Sequence, residues 1–261
     1  MNKLNIAIGC ELAKLKHSKV LKGTILLFVF IPLMMGLMVY VVQHPEISAK
    51  LGIIAVKASI LGGADWPAFM NLILQMITTL GFIGFGFVTA WVFGSEYIEH
   101  TIKDIIAMPV SRTQIMNAKF VTVFLWCIAL SIILIGISIL VGAYMQLSNW
   151  SWSIIAAYTG RYFFATLLTL ALCSPIALLA NYGKGIIAPL GFVLVTMIMA
   201  QFAAYMGLGP YFPWAIPGLS IMPEAVEGMQ ISATSYIILA LTFATFYFAT
   251  LEYMRKADQQ G

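Results

Sequence analysis

Six long stretches with few or no charged side chains constrain this chain more than any other feature of its sequence. A helix rises 1.5 Å per residue, so about 20 apolar residues match a hydrocarbon core ~30 Å thick. The composition agrees: 61% of residues are hydrophobic and 9% charged, against roughly 25% charged in a soluble domain. A water-soluble domain is excluded. Lipid offers nothing to hydrogen-bond a backbone, and runs of this length satisfy their own peptide groups as helices. The expectation is an all-α, polytopic membrane protein forming a single transmembrane domain. Its spans are 23–42, 69–94, 118–147, 161–181, 185–206 and 230–252.

Local chemistry sharpens the layout. Pro32 should kink the first span without breaking it. Asp65, just before Pro67, reads as the N-cap of the second. Ser148 to Ser153, with Trp150 and Trp152, reads as an interfacial turn, and Gly183-Lys184-Gly185 as a tight hairpin between two spans. Residues 207–229 hold Pro210, Pro213, Pro217 and Pro223 around Trp214, too many prolines for a span. They read as short interfacial or re-entrant helices on the outer side.

Lysine and arginine set the orientation. All of them except Lys50, Lys57 and Arg161 fall in the N-terminal segment, the segment between spans two and three, the Lys184 turn or the C-terminus. Both termini are therefore expected in the cytoplasm of a multi-pass plasma-membrane protein. Arg161 is expected at the outer end of the fourth span, snorkelling to headgroups.

Two further segments have helical spacing but cannot cross a bilayer. In 1–22, Leu4, Ile8, Leu12 and Leu15 recur beside Lys14, Lys16 and Lys19, which suits a helix along the inner interface; a basic flank that only fixes topology fits the spacing equally. In Pro45 to Gly63, Ile47, Leu51, Ile54 and Ile60 mix with Lys50 and Lys57, open to either an interfacial helix or a loop.

The largest cytoplasmic segment, 95–117, is the most informative. Ile98, Ile102, Ile105 and Ile106 form one apolar face, and Glu99 and Lys103 make a favourable i, i+4 pair on another. A short amphipathic helix should end before Pro109, after which Ser111 can cap a second helix running from Thr113 into the third span. A helix held between two spans is a lever by which a partner moves both. A solvated loop serving only topology is the plainer alternative.

The series Glu96, Thr101, Lys103, Pro109-Val110-Ser111-Arg112 and Lys119 resembles the corresponding loop of type-2 ABC transporter permeases, especially the bacitracin- and lantibiotic-resistance branch. The Glu11-Leu12-Ala13-Lys14-Leu15-Lys16 start looks like that family's connecting helix, and Phe212 to Pro217 like its outer re-entrant segment. His100 departs from the pattern, since many relatives carry Gly there. The resemblance implies that Glu96, Glu99, Thr101, Lys103, Asp104, Pro109, Ser111 and Arg112 couple this subunit to a separate cytoplasmic ATP-binding subunit, present in two copies, beside a second permease copy or paralogue. It implies an exporter of amphipathic or hydrophobic cargo such as an antimicrobial peptide, a drug or a lipid-like molecule. ATP and Mg would bind the partner, and no cofactor this chain.

The residues exclude other chemistry. There is no GxxxxGK[ST] loop, no HExxH and no GxSxG; His17, His44 and His100 are scattered, and Cys10, Cys127 and Cys173 lack metal or disulfide spacing. No catalytic, metal or nucleic-acid site is expected, and the chain is not expected to be an enzyme. The span interiors lack Asp, Glu, Lys and Arg, unlike an ion-coupled carrier, and an uncharged pathway with Met, Phe, Asn71, Gln75 and Gln201 suits amphipathic cargo. Gly81, Gly84, Gly86, Gly136 and Gly142 are candidates for close helix approach. The competing classes are an ion-coupled secondary transporter and a non-transport scaffold or sensor.

Overall fold

The computed structural model of the chain describes residues 3–44, 46, 64–101, 110–222 and 230–256. Their regular structure is helical throughout, and six segments are long and apolar enough to cross a membrane. The segment from Ile47 to Gly63, the stretch 102–109 and residues 223–229 lie outside the described residues, and with them Lys50, Lys57, Lys103, Asp104 and Pro109.

Helix α1 (Lys3–His17) ends at Ser18, whose extended backbone turns the chain and whose Oγ accepts from the Leu21 amide at 3.2 Å, capping α2 (Lys19–Gln43), the first span. Pro32 lies inside α2 without ending it. Helix α1 packs against the third span and buries Ala7 and Leu15, while Ile6 and Leu12 stay exposed. The expected apolar row is thus divided: Leu15 faces the protein and Leu12 faces out.

The second and fourth spans are broken in ways the apolar runs do not announce. The second is α3 (Trp66–Thr78) followed by α4 (Leu80–Ile98), and Thr79 Oγ1 at the break donates to Gln75 O at 2.7 Å. The fourth is α6 (Trp152–Ala171) followed by α7 (Cys173–Tyr182). Pro175 has no N–H to give to the Ala171 carbonyl, and Ser174 Oγ donates to it instead at 3.1 Å, the repair expected where no water reaches. Between them runs α5 (Arg112–Tyr144), whose 33 unbroken residues measure about 50 Å, more than a bilayer core needs. Helices α8 (Ile187–Tyr205) and α10 (Ala233–Lys256) complete the six.

Helix α5 is the axis, in contact with α1, α2, α4, α6 and α10; α4 also packs on α7 and α8. Gly84 admits the Phe28 ring, which stacks on Phe85 with centroids 5.6 Å apart; a Cβ at Gly84 would meet that ring at 2.5 Å. A Cβ at Gly94 would meet the Gly185 carbonyl oxygen at 2.7 Å, so α4 passes the α7–α8 turn backbone to backbone. Gly136 has open space around it and makes no close approach.

At one end of the bundle, Asp65 caps α3 through the Ala68 amide at 2.9 Å, as its position before Pro67 predicts, and its other oxygen accepts from Asn149 Nδ2 at 3.1 Å. On the same side two 3-10 turns (Gly209–Tyr211 and Pro213–Ala215) and α9 (Ile216–Leu219) fold onto α6, α8 and α10. Helix α6 begins well before the expected span, so Arg161 lies within a helix rather than at its end. Its Nη2 donates to Ile221 O at 2.8 Å, fastening the proline-rich segment to α6. The opposite, basic end carries α1, Arg112, Lys184 and the α10 terminus with Arg255 and Lys256.

Candidate functional site: the basic end of the bundle

A capping box sets where α5 begins: Gln114 N donates to Ser111 Oγ and Ser111 N to Gln114 Oε1, both at 3.3 Å. Two turns further on, Lys119 is fully buried against the last turns of α4 and against α1. Its ammonium is in direct contact with Glu96 Oε1, donates to Val92 O at 2.7 Å and lies 3.4 Å from Glu11 Oε1. Lys14 Nζ, one turn from Glu11 on α1, donates to Glu96 Oε1 at 3.4 Å. Phe93 and Trp91 lie beneath the two ammonium groups at 5.9 and 5.8 Å.

Three helices therefore converge on two carboxylates and two ammonium groups, a neutral set with little water. An ammonium has three N–H donors, and Lys119 has three oxygens around it. Sequence reasoning placed Glu96 and Lys119 in a loop region and Glu11 and Lys14 in a family-like start, but did not join them. The available signal was their types: two acids and two bases flanking apolar runs on segments that must end at one membrane face.

Burial pushes the Glu11 carboxyl above the ordinary carboxylate range, and the neighbouring Lys119 charge pulls it partly back. The folded state then holds this proton more tightly than the unfolded chain does. Glu11's contribution to stability accordingly falls as pH rises from the ordinary carboxylate range through its raised value. Glu11→Gln keeps an acceptor for Lys119 and removes the titration. Its melting temperature should change less than that of the parent as pH rises from the ordinary carboxylate range; an undiminished change in thermal scans of the purified variant would assign the dependence elsewhere.

The last turn of α4 explains the departure at His100. Thr101 N donates to Glu96 O at 3.0 Å, closing a Schellman-type end in which His100 takes the left-handed position with φ of 57°. Glycine occupies that position without strain. His100→Gly should stabilise the folded chain by about 1 kcal/mol, raising the melting temperature by roughly 2–4 °C; a lower melting temperature would show that the imidazole makes a compensating contact.

The expected coupling residues thus separate by place. Glu96 is inside the ion cluster, Thr101 closes the helix through its backbone, Ser111 is a cap, and Arg112 opens α5 with Nη1 donating to Met254 O at 3.4 Å. Glu99, the C-cap of α4, is exposed together with Ile98 and His100. Further ties bind the same end: Tyr247 OH donates to Asn117 Oδ1 at 2.9 Å, and Tyr97 OH to Asn181 Oδ1 at 3.3 Å. Among the described residues no group of His, Cys, Asp and Glu is arranged to hold a metal.

A family model described as ABC-2 family transporter protein matches residues 7–200, a range holding the ion cluster and the first four spans entire. The bacitracin transport permease protein BCRB of Bacillus licheniformis is 25% identical over 194 residues, covering 73% of this chain and 91% of that protein. No solved structure matches the chain. With six membrane-crossing segments and a family match over most of its length, the chain belongs to the ABC-2 transporter family, as a multi-pass permease subunit of an ABC transporter.

Proposed function

We propose that this permease subunit exports an amphipathic or hydrophobic cargo, powered by ATP and Mg bound on a separate subunit that docks at the basic end. One observation carries this reading: the ends of α4 and α5 are locked to α1 through Lys119 and Glu96, so that the exposed Ile98–Glu99–His100 corner moves with two spans. A push on that corner becomes a tilt of both helices. The basic end is cytoplasmic in this reading, in keeping with the lysine and arginine distribution. Lys103, Asp104 and Pro109 belong to the docking element, with Glu99 and Arg112 at its edges.

Gln75 on α3 and Gln201 on α8 are exposed on predominantly apolar spans, where an amide facing lipid is costly. A second permease copy or a paralogue would turn these faces into a shared, uncharged pathway. The bacitracin permease among its relatives favours a peptide antibiotic as cargo. An ion-coupled carrier would set its charges near the bilayer midplane, and the buried charges here lie at helix ends and balance one another.

The test is co-purification. Expressed with its chromosomal neighbours and extracted gently, the chain should bring with it a subunit carrying a phosphate-binding loop, in a complex that hydrolyses ATP. A preparation without any ATPase would move the assignment to a scaffold or a gradient-driven carrier.

A further inference from the structure

A cavity of about 680 Å³ lies between α5, the α6–α7 pair and α10, with Thr89 of α4 behind it and Leu4 of α1 at one end. Val123, Leu170 and Cys173 form its buried floor, and Phe124, Leu167 and Phe243, each 40–48% exposed, form its open rim. The volume is that of a small-molecule site. Its chemistry is narrower.

The hydroxyl groups in its walls are already engaged. Thr89 Oγ1 donates to Phe85 O at 2.7 Å, Ser174 Oγ to Ala171 O at 3.1 Å, and Tyr247 OH to Asn117 Oδ1 at 2.9 Å. Among the described residues no charged side chain lines it. A hydrated ligand entering here would lose its water without compensation, and an empty apolar space forfeits contacts along its whole lining. The lining stretches on α5, α6, α7 and α10 belong to spans, so the open rim faces the bilayer. From Asn117 to Phe124 the cavity follows α5 for about 10 Å, within the ~15 Å depth of one leaflet. Asn117 and Tyr247 mark its end toward the basic face.

We infer that this cavity binds one acyl chain of a phospholipid from the leaflet at the basic end, the chain lying along α5 and its headgroup near the Asn117–Tyr247 pair. Helix α5 reaches Lys119 two residues beyond Asn117, and α10 carries Tyr247. The bound chain therefore fills the seam between two helices whose ends form the proposed docking face. The inference is independent of the cargo and of the ATPase.

The experiment uses the purified chain in phosphatidylcholine–phosphatidylglycerol vesicles with a trace of phospholipid carrying a diazirine midway along one acyl chain. After illumination, adducts are mapped by mass spectrometry. Adducts at Val123, Leu170 and Cys173 should exceed those at Leu26 and Leu140, both 70% exposed on the outside of the bundle, by about tenfold, equivalent to ~1.4 kcal/mol of preference. Val123→Trp and Leu170→Trp, made separately, should each deplete adducts on the remaining cavity walls while those at Leu26 and Leu140 persist, which also reports an intact bundle. Labelling of the cavity no stronger than at Leu26 and Leu140, or undiminished in both filled variants, would overturn the proposal.

Discussion

Lys119→Met should be the most damaging single substitution at the basic end. Methionine keeps most of the stem's volume, so packing against Phe93 changes little and the loss is electrostatic. The Glu96 and Glu11 carboxylates would remain buried with only Lys14 to share, and removing one partner of a buried ion set costs about 3–5 kcal/mol. For a chain of this size that is a fall in melting temperature on the order of 10 °C. The same logic orders the companions. Glu96→Gln keeps an acceptor beside Lys119 and should cost less, and Lys119→Met combined with Glu96→Gln should recover part of the loss, since it removes charges of both signs. Thermal unfolding of the four proteins in one detergent decides the matter: a single Lys119→Met variant melting within about 2 °C of the parent would mean that the ammonium is hydrated rather than buried.

That cluster also shows where the sequence was readable and where it was not. The spans were legible because bilayer thickness imposes a minimum apolar length, and Asp65 and Ser111 because capping depends on neighbours three residues away. The breaks at Thr79 and Leu172 were hidden, since hydropathy does not register that the Gln75 carbonyl takes a second hydrogen bond from the Thr79 hydroxyl or that Ser174 Oγ stands in for a missing amide at Ala171 O. Glu96 and Lys119 were visible as loop charges but not as a buried pair, because their partners Glu11 and Lys14 come from a helix whose position against α5 depends on tertiary packing. Arg161 shows the same limit: an outward arginine and one donating to Ile221 O have the same local sequence.

Glu99→Lys should have the largest effect on transport while sparing the fold. The carboxylate has no partner among the described residues and is exposed at the C-cap of α4. A helix C-terminus carries partial negative charge, so an acid there is unfavourable to the helix and a lysine favourable by about 0.3–1 kcal/mol. The terminal dipole thus gives no reason for glutamate at this position, whereas a cationic partner would, be it Lys103 four residues on or a docked subunit. Glu96, also in the last turn, has Lys119 and Lys14 to offset the same penalty; Glu99 has an open side. If the proposed partner meets Glu99 with a positive surface, a lysine there adds like-charge repulsion worth several kcal/mol, and a loss of even ~1.4 kcal/mol in docking is a tenfold loss in affinity. Cargo export by vesicles holding the variant with its ATP-binding subunit should fall about tenfold or more. Its melting temperature should equal or exceed the parent's, and residual ATP hydrolysis should no longer respond to cargo. Unaltered export would place the docking contact elsewhere on the basic end, and a lowered melting temperature would give Glu99 a structural role within the helix pair instead.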